Sequence, residues 1–107
     1  SSDDDIRRSV LTGACNLYHA CSHNFLHAKD INTLVGLYKA ARFTVRMKHF
    51  LDTGSYISSM KLLSEHVTDK DRTILNIASA DFQENDFTKR SHILIEWASE
   101  IITEYHG

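Results

Sequence analysis

Proline is absent from all 107 residues, and glycine occurs only four times. A β-rich chain of this length needs turn residues at every hairpin, and this one has few to build them from. What recurs instead is an apolar residue every three or four positions, the spacing that gathers side chains on one face of an α-helix. The sequence therefore predicts an all-α fold, a compact bundle of about five antiparallel amphipathic helices. A short α-solenoid-like stack of helical hairpins is the alternative.

The helices can be placed by their stripes and caps. The first is expected over 5–28, with Ile6, Val10, Ala14, Leu17 and Cys21 on one face. Asp30 is the N-cap candidate for the second, over 31–51, where Leu34, Tyr38, Ala41 and Val45 form one apolar face. Phe43, Met47, Phe50 and Leu51 give that helix a second apolar side. Gly54 is a stop signal and Ser55 the next cap candidate. A third helix follows over 56–66. Thr68 caps a fourth over 69–80, with Asp69 and Asp71 as first-turn carboxylates. The fifth, over 87–105, has the cleanest stripe: Phe87, Ser91, Leu94, Ala98, Ile101 and Tyr105.

Composition narrows the class. At 42% apolar and 24% charged the chain is globular rather than disordered. A net charge of −2 gives no general attraction for nucleic acid or anionic lipid, and no apolar run approaches the ~18 residues of a membrane span. The start, Ser1-Ser2-Asp3-Asp4-Asp5, is acidic where a signal peptide is basic. Lacking an initial Met, the chain reads as one helical domain, 1–107, excised from a larger protein, with 1–5 a disordered or helix-capping segment. Cys15 and Cys21 on one helix lie about 9 Å apart along its axis and point in different directions, too far to bridge. Unpaired thiols suit a reducing compartment, so an intracellular location, cytoplasmic or nuclear, is expected.

Four constellations bear on function. Cys15, His19, His23 and His27 fall every four residues, opposite the apolar face of their helix. Histidines at i and i+4 can chelate a metal, but one helix presents only two at a time, and no metal site is expected. Lys39, Arg42, Arg46 and His49 share about 80° of arc on the second helix, and residues 31–51 hold no acidic side chain. Such a basic face suits phosphates. Arg42 and His49 also stand at Arg-x6-His spacing, which resembles the active-site motif of HEPN-type ribonucleases, small helical bundles that act as dimers. The resemblance covers eight residues of one helix, and Phe43 stands where that motif commonly has a polar residue. It implies Arg42 and His49 as an RNA-cleaving pair.

The fifth helix carries Glu96, Glu100 and Glu104 every four residues, the last two near its C-terminus, where the dipole disfavours carboxylates. Lys89 and Arg90 sit at its equally unfavourable N-terminus. These charges are expected to answer to something outside their own helix, either the basic second helix or a partner. Trp97, the only Trp, lies at the edge of the apolar stripe, as a packing residue or an interface anchor.

Gly-rich phosphate loops, Cys-x-x-Cys, His-Glu-x-x-His and Gly-x-Ser-x-Gly are all missing from the sequence. The expectation is a non-catalytic protein–protein interaction or oligomerisation module, with no cofactor, no small-molecule substrate and no membrane contact. Its partner is another protein or a second copy. The contact residues are Met47, Leu51, Trp97, Glu96, Glu100 and Glu104. The alternative is an RNA-binding or HEPN-like RNA-cleaving domain using Lys39, Arg42, Arg46 and His49.

Overall fold

The helices start and stop where side chains or a glycine satisfy the free backbone groups of their ends. In the computed structural model, which describes residues 2–106, α1 spans Ser2–Leu26, α2 Ile31–Thr53, α3 Met60–Ser64, α4 Asp69–Ser79 and α5 Phe87–Tyr105, with a 3-10 turn at Glu84–Asp86 before α5. No strand occurs among the described residues. Asp30 caps α2 by accepting from the Asn32 N–H at 2.8 Å, and Thr68 caps α4 through the Asp71 N–H. Gly54, in the left-handed region at φ 76°, ends α2. The buried Asn24 clamps the α1–α2 turn, donating to the Asp30 carbonyl at 3.0 Å and accepting from the Asp30 N–H at 3.1 Å.

Contacts along each pair of helices fix an antiparallel bundle. Arg7, near the start of α1, lies over the Tyr105 ring at the end of α5, while Phe25 at the other end of α1 stacks on Phe87. Lys48 of α2 reaches Asp71 at the start of α4. α1 thus packs along both α2 and α5, and α2 carries α4 on its other side. Between them lies one core of Val10, Ala14, Leu17, Leu34, Tyr38, Val45, Leu63, Ile74, Leu94 and Ile101. Gly13 faces α2 so closely that a β-carbon there would lie 2.5 Å from Thr44 Oγ1, so the α1–α2 approach depends on glycine. α4 and α5 touch only sparsely, and a groove opens between them.

Several boundaries depart from the sequence expectation. Asp3, Asp4 and Asp5 are already inside the first turn of α1; Ser1 lies outside the described residues. α3 is one short turn capped by Ser59, not a helix from residue 56 capped by Ser55. The reason is Arg46, whose guanidinium takes the Ile57 carbonyl at 3.1 Å and the Ser58 carbonyl at 3.0 Å and so holds that stretch extended. Among the described residues, no helix is long and apolar enough to cross a membrane.

Candidate binding groove between α4 and α5

The groove is built on a buried polar cluster. Asp71 is 7% exposed and sits on the inner face of α4, three, four and seven residues before the buried Ile74, Leu75 and Ala78. A carboxylate cannot stay there unpaired. Lys48 of α2 supplies the charge at 2.7 Å, and Trp97 of α5 donates its indole N–H at 2.8 Å. Three helices are thereby tied at one point. One turn away, Tyr105 donates its hydroxyl to the Asp52 carboxylate, 3.1 and 3.2 Å from its two oxygens. Burial, followed by the neighbouring Asp52 charge, pushes the Tyr105 hydroxyl well above its ordinary pKa.

Outward from that cluster lies a shallow groove of about 160 Å³, in which the half-buried Ile93 sits over the buried Ile74 and Trp97, with Glu96 and Glu100 on its rim. Lys70 crosses from α4 to Glu100 at 2.7 Å, an exposed pair whose hydrogen bond raises the ammonium pKa. Beside the groove is a wider recess of about 480 Å³ in which Lys48 and Lys70 face Asp52, Asp69, Asp71, Glu100 and Glu104. Asp69 is also paired with Arg72, and three cations against five carboxylates still leave this side of the molecule negative. The arrangement can take an apolar group against Ile93 and hold positive charge at the rim.

The expected contact residues divide. Glu96, Glu100 and Glu104 are exposed where the groove and recess open. Trp97 is only 4% exposed, so it is a packing residue whose edge lines the groove, not a free anchor. Met47 and Leu51 are half-buried against the core on α2 and line neither cavity. The acidic stripe does not meet the basic stripe of α2: Glu100 pairs with Lys70, and Lys48 goes to Asp71 instead.

The basic stripe itself is broken up. Lys39 is exposed, and Arg42 turns its Nε to the Lys39 carbonyl. Arg46 is spent on the Ile57 and Ser58 carbonyls and lies over the Tyr56 ring. The His49 ring meets that of His66, centroids 6.5 Å apart. Cys15, His19 and His23 are exposed along α1 and His27 just past its end, and the His23 and His27 rings stand 4.7 Å apart. Among the described residues, no three potential metal ligands converge.

Lys48 and Asp71 are the residues that sequence reasoning missed. Asp71 is no mere first-turn carboxylate, because its side chain points inward. The signal was present: Ala41, Thr44, Val45 and Lys48 stand at helical spacing on the buried face of α2, as Asp71 does with Ile74 and Ala78 on α4. Two opposite charges on apolar faces of different helices point to a buried pair. The chain matches no protein-family model, no curated protein and no solved structure.

Proposed function

We propose that the chain is a non-catalytic protein-recognition module whose α4–α5 groove takes a basic amphipathic segment. One observation carries the reading. The half-buried Ile93, seated over the buried Ile74 and Trp97, leaves an apolar spot between two helices that Glu96 and Glu100 rim. Apolar contact supplies affinity, and the carboxylates select a segment with Lys or Arg beside its apolar side chains. The Lys48–Asp71–Trp97 cluster supports it from beneath, since it holds the groove rigid, and a preformed site loses less entropy on binding.

The test is titration with a basic amphipathic helical peptide, read by Trp97 emission, alongside an acidic peptide of the same apolar pattern and a labelled RNA. The basic peptide alone should shift the emission, and Glu96→Lys with Glu100→Lys should weaken it by about tenfold or more. Equal responses to the basic and acidic peptides, or a response to RNA only, would overturn the reading.

A further inference from the structure

A segment of the kind the groove selects lies on the surface of this same chain. Phe43 of α2 is 51% exposed, on the side of the helix turned away from Leu34, Tyr38 and Val45. Lys39 stands one turn before it and is exposed, whereas Arg42 is half-buried on another side of the helix, beside Met60 and Leu75. Space over Gly36, two turns before, is open. No acidic side chain occurs between residues 31 and 51. Asp5 of α1, which lines the same recess as Phe43, is itself paired with Arg8 at 3.8 Å. Phe43 is thus an apolar knob in a basic setting, and the groove is an apolar slot in an acidic one.

Size and charge both match. The slot holds about 160 Å³, and a cavity of about 150 Å³ lined by aliphatic and aromatic side chains is large enough to admit benzene. The Lys70–Glu100 pair that crosses the slot is exposed on both sides, 68% and 44%, so an incoming cation can displace it at small cost.

We propose that the occupant of the groove is α2 of a second copy of this chain. Phe43 packs on Ile93 and the exposed edge of Trp97, and Lys39 reaches Glu96 and Glu100. The inference rests on the groove reading above and names its partner. Knob and slot are different parts of the surface, so each docking leaves one of each free. The contact is heterologous, and copies add head to tail into chains or rings rather than stopping at a two-fold dimer. One helix face in one groove falls in the size class of weak contacts, below about 1,200 Å² in total, so assembly needs high local concentration.

Complementation tests this directly. Sedimentation of the wild-type chain from about 10 µM to 1 mM should give a mass that rises past the dimer, in keeping with a weak contact. Phe43→Ser removes the knob and leaves the slot; Glu96→Lys with Glu100→Lys does the reverse. Each variant alone should stay monomeric, with far-UV circular dichroism confirming that it is folded. Mixed in equal amounts they should form a one-to-one heterodimer and nothing larger. The proposal is overturned if the mixture stays monomeric, or if Phe43→Ser leaves assembly unchanged. It is overturned equally if only Phe43→Ser stops assembly, which would mean α2 pairing with itself. A wild-type chain that is monomeric throughout, yet binds the basic peptide, defeats this inference and leaves the groove reading standing.

Discussion

Two ion pairs start from neighbouring residues of α4 and have the same length. Asp71 meets Lys48 at 2.7 Å, and Lys70 meets Glu100 at 2.7 Å. One faces in and one faces out. The side chains of the inner pair are 7% and 13% exposed, those of the outer pair 68% and 44%. Distance ranks them equal, but desolvation does not. Breaking the inner pair strands a charge away from water, whereas each member of the outer pair is rehydrated as soon as it is released. The inner pair therefore fixes α2, α4 and α5 together, and the outer pair is free to be exchanged for a ligand.

The comparison is tested hardest at Asp71. Asp71→Ala leaves Lys48 and the Trp97 indole N–H buried without partners and should lower stability by about 3–5 kcal/mol. That is a large part of the 5–15 kcal/mol typical of a domain. Replacing both charges, Lys48→Met with Asp71→Leu, should recover all but about 1–2 kcal/mol, the cost of the unsatisfied indole. Urea denaturation measures both. If Asp71→Ala costs no more than Glu100→Ala, burial does not distinguish the pairs.

Cys21 checks the same rule without an ion pair. Its side chain is fully buried, and burial pushes the thiol from an ordinary 9.0 up to about 11. The folded state holds this proton more tightly than the unfolded chain. Its contribution is therefore complete below pH 9 and lost as pH rises through about 11, a fall of about 3 kcal/mol by linkage. Tyr38, buried nearby and likewise raised first by desolvation and then by Cys21, adds to the fall from about pH 10 upward. Urea midpoints measured from pH 8 to 11 should drop for the wild-type chain and drop less for Cys21→Ala. Identical slopes would show that the thiol does not carry the effect.

These contrasts also explain what could be read from the sequence. The all-α fold, the Asp30, Gly54 and Thr68 signals and the α5 boundaries were legible, because each depends on residues within one helix or its ends. Val10, Leu34, Leu94 and Ile101 could be assigned to the core for the same reason. What could not be read depends on a partner from elsewhere in the chain. Residues 56–58 look helical by spacing and are extended, because Arg46 of α2 takes their carbonyls. Asp71 looks like a cap, because neither Lys48 nor Trp97 is near it in sequence. Of the site, the Glu96, Glu100 and Glu104 stripe was legible as unsatisfied charge. The groove was not, since it is the space left where α4 and α5 fail to close on each other.

The smallest effect on stability should fall at Lys70, and it is the most informative about binding. Lys70→Ala removes an exposed member of an exposed pair, so the urea midpoint and melting temperature should stay where they are. Its consequence appears at the rim. With Lys70 present, Glu100 is already partly neutralised before any ligand arrives; without it, Glu96 and Glu100 both present full charge around Ile93. A basic peptide should then bind on the order of two- to fivefold more tightly at low salt, and the gain should fade toward about 0.5 M salt as screening shortens the reach of the carboxylates. The apolar part of the contact should persist there, so Trp97 emission should still respond. If Lys70→Ala weakens the peptide instead, Lys70 is a contact rather than a competitor, and the outer pair belongs to the binding surface as firmly as the inner pair belongs to the core.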